Sequence, residues 1–362
     1  MHKRKRDGNA SFSRFYMESK VAKNTYNCRA LSVSLLDNSA PIKQLLQQQL
    51  WVAMGLSSIS LAATNSPNST MLTPEMIPLH HLSDETCVLY RSAIALKLAP
   101  IWQQSAFDIA NQLTASFPTL SQDTAGGTCL DFSVEVVLPG WINFRLSDRG
   151  LAAWLQQMIQ LPPQVHQRQL DASIKYAHQG SPEYQQNPPS TEASTRERNQ
   201  ESPLSTQHSE NLFCVQYIHA RCCSLLCLAH CQDLIKLRDL DFKTVSWRFV
   251  EPNPIPWLND DQGADTGQVL LRLMHPAERR LITQLLELQD ELGDSSQIYW
   301  VKRCRALSEA FEGFYSNCRI WGEVKTQTPK LAQARLGLLG VTQGLLRSLL
   351  QDQLGVPAPL EL

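Results

Sequence analysis

Tyr217 and Arg221 lie four residues apart in an apolar stretch that reads as helix, so both side chains leave one face. An aromatic ring beside a guanidinium plane can stack on an unpaired base and clamp it. A surface pair packed on a neighbouring helix needs the same two residues, and both readings fit. His219 lies between them; it suits such a surface or a hydrogen bond inside a helix–helix contact. His219, Cys223, Cys227 and Cys231 recur every four residues, a spacing that brings metal to mind. Structural zinc usually takes close ligand pairs from a turn and a second element. Four consecutive helical turns hold their side chains too far apart for one ion. The cysteines therefore read as small buried residues, and neither a metal nor a cofactor is expected.

Phe311, Phe314 and Tyr315 have core spacing, and Phe311 and Phe314 read as core residues. Between positions 296 and 350 stand Lys302, Arg303, Arg305, Arg319, Lys325, Lys330, Arg335 and Arg347. Against these eight bases stand three acids, Glu309, Glu312 and Glu323, a local excess of five positive charges. That stretch is either a phosphate-binding surface or an ordinary solvated face. Near the other end, Asn143, Phe144 and Arg145 close an alternating run. There an amide could read a base edge, a ring could stack and a guanidinium could take a phosphate. Equally, Phe144 could be core and Asn143 could satisfy a turn. No G-x-S-x-G, glycine-rich phosphate loop or C-x-x-C-H occurs, so no catalytic residues are assigned.

Composition bounds these options. The chain has 362 residues, room for two modest domains. Its net charge is −1, so any nucleic-acid contact must be a local patch. The ten cysteines include five crowded between Cys214 and Cys231, which suits reduced thiols and a cytoplasmic setting rather than a disulfide framework. No run of about 18 purely apolar residues is present, so no membrane span is expected. Residues 1–38 open on Lys3-Arg4-Lys5-Arg6 and lack periodicity; they read as a disordered basic tail, with Met17 as an alternative start.

The elements that position these residues follow from periodicity. From Pro41, helical spacing of Ile42, Leu45, Leu46 and Val52 begins, and further helices fit 85–99 and 103–116. Phe132, Val134, Val136 and Leu138 alternate as a strand, Pro139-Gly140 signals a turn, and Trp141, Ile142 and Phe144 restart a strand. Helix returns over 150–160. Residues 161–210 are polar, carry six prolines and cannot offset their ordering entropy by burial, so they read as a flexible linker. After it, helices fit 212–238, 275–292, 296–318 and 328–353, with an irregular segment at 241–267. The fold class is a small α+β domain at 39–160 and an all-α helical bundle at 211–362, joined by a disordered linker.

The bundle resembles the DALR-type anticodon-binding domain of arginyl-tRNA synthetases. Four stretches carry the resemblance in order: Val215 to Arg221; His275-Pro276-Ala277-Glu278-Arg279-Arg280-Leu281; Phe311 to Cys318; and Ala334 to Leu339 with Leu354 to Pro359. The first unit is similar to the N-terminal additional domain of the same enzymes, through Tyr90 to Ala99 and Val134 to Ser147. That domain contacts the tRNA elbow in the family. The resemblance implies a tRNA partner, arginine tRNA first, with Tyr217, His219, Arg221, Tyr315, Asn317, Lys302, Arg303, Arg335, Asn143, Phe144 and Arg145 as RNA-binding candidates. A tRNA-modifying enzyme or a synthetase is the implied protein partner.

The family's catalytic middle does not fit. Its doubly wound sheet needs several βαβ units of 30 or more residues each, and 161–210 has no strand-like apolar runs. His178-Gln179-Gly180 approaches H-x-G-H but continues to Ser181, and no K-M-S-K occurs. Three roles remain open: a tRNA-binding accessory protein, a protein–protein scaffold that has lost RNA binding, and the non-catalytic part of a split arginine-tRNA ligase.

Overall fold

The computed structural model of the chain describes residues 29–34, 41–61, 73–82, 87–117, 129–160, 203–241, 246–259, 269–292 and 300–362. Most of the expected linker, 161–202, and most of the expected tail lie outside them.

The first unit is built on a five-stranded antiparallel sheet. Its strands are β1 (Arg29–Ser34), β2 (Leu79–Leu82), β3 (Leu89–Ser92), β4 (Cys129–Val137) and β5 (Trp141–Leu146), in the order β1-β4-β5-β3-β2. Alternation places Phe132, Val134 and Val136 of β4 with Ile142, Phe144 and Leu146 of β5 on the buried face. Helices α1 (Ile42–Leu61), α2 (Ile94–Trp102), α3 (Ala106–Ala115) and α4 (Asp148–Gln160) cover it. The β4–β5 turn needs Gly140: a Cβ there would lie 2.7 Å from Ala106, so only glycine lets α3 sit against the hairpin. Ser105 caps α3, its hydroxyl accepting from the Asp108 amide at 3.1 Å.

Two expectations change here. Arg29–Ser34 falls in the expected tail yet forms the edge strand β1, because β4 offers it a full ladder from Arg29↔Val134 to Ser34↔Cys129. The helix expected over 85–99 is strand β3 followed by α2. Tyr90 and Ser92 are inward-facing strand positions, and Ile94, Ala95 and Leu98 then bury a helical face. The apolar run continues across the boundary, so its period does not mark the change.

The second unit contains α5 (Pro203–Cys231), β6 (Lys236–Asp241), β7 (Ser246–Glu251), α6 (Pro276–Leu292), α7 (Trp300–Asn317), α8 (Glu323–Gln327) and α9 (Pro329–Ser348). Helix begins at Pro203, inside the expected linker. It stops at Cys231 rather than 238, at a turn where Asp233 takes a left-handed φ of 57°, and Lys236 starts a strand. The unit is therefore helical with one β6–β7 hairpin, not all-α. The hairpin and the segment after it pack on α9 through two glycines. A Cβ at Gly337 would lie 2.5 Å from the Trp257 ring, and one at Gly340 would lie 2.6 Å from Phe249. Along α5, Leu212–Cys231 is long and apolar enough to cross a membrane although polar residues interrupt its apolar run, so the expectation of no span is corrected. Half of that span is buried, against α7 and α9, which is the position of a core helix.

The two units share one continuous hydrophobic core, and α4 and α6 carry the polar contacts between them. The Asp290 carboxylate on α6 is buried and accepts from the Tyr90 hydroxyl at 2.6 Å and from the Lys43 amide at 3.0 Å. The second bond satisfies one of the orphan N–H groups at the start of α1. Trp154 Nε1 donates to Gln289 at 2.6 Å, and Gln156 accepts from the Ile255 amide and from Trp257 Nε1, each at 2.9 Å. Asp148 accepts from the Leu271 amide at 2.8 Å and pairs with Arg279 at 3.0 Å.

Burial pushes the Asp290 pKa up to about 6, above its unfolded value. The native state thus binds the extra proton between about pH 4 and 6, and this group's contribution to stability is lost as pH rises through that window. Tyr90→Phe removes one of the two donors. It should lower unfolding stability by about 1–3 kcal/mol at pH 7.5 and by less at pH 4, where Asp290 is neutral; urea titrations of both proteins at the two pH values measure this.

Candidate nucleic-acid interface

Helix α5 buries Val215, Ile218, Cys222, Leu225, Leu226 and Ala229, which leaves Phe213, Tyr217 and Leu228 on its outer side. Tyr217 is 51% exposed. One turn on, the Arg221 guanidinium donates to the Tyr315 hydroxyl and lies 5.2 Å from the centre of the Tyr315 ring. Tyr315 comes from α7. Its ring lies parallel to that of Phe311, with centroids 6.1 Å apart and planes 5° apart. Phe311 is core, so Tyr315 is seated on a fixed floor while 43% of it remains open to solvent. The result is an exposed shelf of two rings and one guanidinium, held by elements far apart in sequence. The hydrogen bond to Tyr315 also raises the Arg221 pKa, so its charge is permanent.

His219 turns the other way and is fully buried. Its Nδ1 donates to the Pro359 carbonyl at 2.8 Å, and its Nε2 accepts from the Gln343 amide at 3.0 Å. Burial lowers its pKa, in keeping with this neutral tautomer. The residue fastens the C-terminal tail to α5 and α9 and cannot touch RNA. Burial likewise pushes the Cys223 thiol up to about 12, so it is an inert core group. Asn317 is exposed at the end of α7, its amide donating back to the Gly313 carbonyl at 2.7 Å.

The basic stretch is thinner than its sequence count. Arg335 is buried, with Nε donating to Glu278 at 2.6 Å and Nη1 to the Arg319 carbonyl. Arg303 is clasped by Glu287 and Glu291 of α6, its Nε donating to Glu291 at 2.6 Å. Arg305 pairs with Glu309 at 3.0 Å. The acids that neutralise Arg335 and Arg303 lie on α6, before the counted window, so a tally along the chain cannot see them. Arg335 and Arg303 are structural cations, not phosphate ligands. Arg319 is exposed, and the Lys302 side chain lies outside the described residues.

In the first unit, Phe144 is fully buried and cannot stack on a base. Asn143 is buried too, and its Oδ1 accepts from Arg91 Nε at 2.8 Å. Arg145 is exposed on the outer face of the sheet. That face also carries two residues not singled out from sequence. Arg91 pairs in register with Asn143, and its guanidinium lies 5.7 Å from the centre of the Trp141 ring. Arg91, Trp141 and Arg145 therefore replace Phe144 as the groups a nucleic acid could meet. The signal was the alternation Leu89-Tyr90-Arg91-Ser92, hidden because the segment read as helix.

Residues 258–362 match the DALR anticodon binding domain family. The chain is also similar to the protein named Arginine--tRNA ligase in Synechococcus sp. (strain JA-3-3Ab), 31% identical over 149 residues, 40% of this chain and 21% of that protein. It is similar to the one in Heliobacterium modesticaldum (strain ATCC 51547 / Ice1), 31% identical over 158 residues, 42% of this chain and 23% of that protein. The third, in Pelodictyon phaeoclathratiforme (strain DSM 5477 / BU-1), is 32% identical over 152 residues, covering 41% and 22%. The chain thus spans about a fifth of the length of the curated relatives it matches. No solved structure matches it significantly.

The buried pair and the exposed cation separate in a stability measurement. Arg335→Ala strands the Glu278 carboxylate and should cost about 3–5 kcal/mol of unfolding free energy. Arg145→Ala removes an exposed charge and should stay within about 0.5 kcal/mol of wild type, both read from chemical denaturation.

Proposed function

We propose that the chain binds transfer RNA, with arginine tRNA the favoured species, and does not charge it. The Tyr217–Arg221–Tyr315 shelf is the observation that carries this reading. Unpaired bases are taken by aromatic and guanidinium faces, and an anticodon loop presents unpaired bases. Tyr315 lies within the stretch that matches the anticodon binding domain family, and the relatives named above are arginine–tRNA ligases. The outer sheet face with Arg91, Trp141 and Arg145 serves as the second contact, where guanidinium groups meet phosphate.

The absence of charging rests on chemistry the 362 residues do not supply. Adenylate formation in the resembling enzymes uses H-x-G-H and K-M-S-K-type motifs, and neither occurs. The chain holds the tRNA in the cytoplasm and presents it to another protein, a tRNA-modifying enzyme or a synthetase.

Gel-shift titration tests this reading. Arginine tRNA should bind more tightly than an unrelated tRNA, and the affinity should fall as salt rises. Arg221→Ala and Tyr315→Ala should each weaken binding roughly 5- to 100-fold, the range expected for loss of one stacking contact. Equal, feeble binding of both tRNAs would sink the proposal, and arginine-dependent ATP–pyrophosphate exchange by the purified chain would overturn its non-catalytic half.

A further inference from the structure

The outer side of α5 does not end at Tyr217. Phe213 precedes it by four residues and is 56% exposed, the ring free of the core that holds Val215 and Ile218. Phe213, Tyr217 and Arg221 thus stand at i, i+4 and i+8 along one helix face, and Tyr315 closes the Arg221 end. Among the described residues no packing accounts for this exposed phenylalanine, which directly continues the ring-and-guanidinium shelf. From this geometry we infer that Phe213 is a second stacking position, which receives the nucleobase adjacent to the one held by Tyr217 and Arg221. The inference rests on the tRNA-binding reading above and adds a specific subsite to it.

Spacing decides what kind of strand fits. Neighbouring side chains one helical turn apart are about 5–6 Å from each other. Bases within a continuous stack are about 3.4 Å apart along a strand. Two rings at helical-turn spacing cannot each face a base of one tight stack. They can each take a base when the strand is opened and its bases are splayed. The ladder is therefore matched to consecutive unpaired nucleotides of a loop and mismatched to a duplex. Arg221, at its inner end, holds the first base with Tyr217, while the acids Glu309 and Glu312 lie on the exposed side of α7. The nucleotide on Phe213 accordingly lies beyond Tyr217, away from α7.

The test uses the full chain with two RNAs: an arginine tRNA anticodon stem-loop, and a fully paired duplex of the same length. Phe213→Ala should weaken stem-loop binding about 5- to 100-fold and leave duplex binding and the melting temperature unchanged. Phe213→Trp should restore the affinity. Phe213→Leu, which keeps apolar area without a ring, should not. A 2-aminopurine scan of the loop should show one position whose fluorescence responds to Phe213→Ala and a neighbouring one that responds to Tyr217→Ala. Unchanged stem-loop affinity in Phe213→Ala, alongside losses in Arg221→Ala and Tyr315→Ala, would overturn this inference and leave the parent reading intact. Equal losses on stem-loop and duplex, or full rescue by leucine, would also overturn it. Failure of the wild-type chain to bind any tRNA would remove both.

Discussion

The arrangement of this molecule depends on one buried carboxylate. Asp290 stands on a helix of the second unit, yet both hydrogen bonds described for it come from the first, the Tyr90 hydroxyl and the Lys43 amide. A carboxylate buried without such donors would cost several kcal/mol, so separating the units exposes not only apolar surface but also a group chosen for its partners. Trp154–Gln289, Asp148–Arg279 and the Gln156 contacts repeat the pattern along the same boundary. Polar side chains of one unit find their partners in the other, and a single core runs beneath them. Consequently the shelf on α5 and α7 and the outer face of the sheet belong to one folded body rather than to two tethered ones.

The same economy sorts the charges. A guanidinium already paired with a carboxylate is satisfied, and competition from a phosphate must first break that pairing. Arg303 and Arg335 are in this position, the first between Glu287 and Glu291, the second against a fully buried Glu278. Arg221 differs because its partner is a neutral hydroxyl and a ring face, which leave its charge available. Cation–π pairs at such open sites are worth roughly 0.5–1 kcal/mol, enough to orient a guanidinium without neutralising it. Arg91 on Trp141 repeats the device on the sheet. A chain of net charge −1 thus offers local, pre-oriented cations rather than a broad basic surface.

Much was legible from the residues alone. The helical periods that begin near Pro276 and Pro329, the alternation of β4 and β5, and the pairing of Tyr217 with Arg221 on one helical face are local patterns, and local patterns survive folding. The spacing of Phe311 and Phe314 already marked them as core, whereas Phe144 was an open reading that burial settled. What local pattern could not give was anything dependent on a distant partner. β1 and β3 are strands because β4, β5 and β2 present ladders to them. The β6–β7 hairpin sits against α9 where Gly340 leaves room for Phe249, and Gly337 does the same for Trp257 in the segment after it.

The sequence by itself determined the inventory: which residues could stack, which could carry charge, which turns must hold glycine, and which catalytic motifs the 362 residues lack. Only the tertiary structure decided which of them meet. It buried His219 against the tail, spent Arg303 and Arg335 on carboxylates from α6, and brought Tyr315 across to Arg221. The physical reason is that side-chain type and spacing act over a few residues. Pairing energies act between atoms within a few ångströms, whatever separates them in the chain.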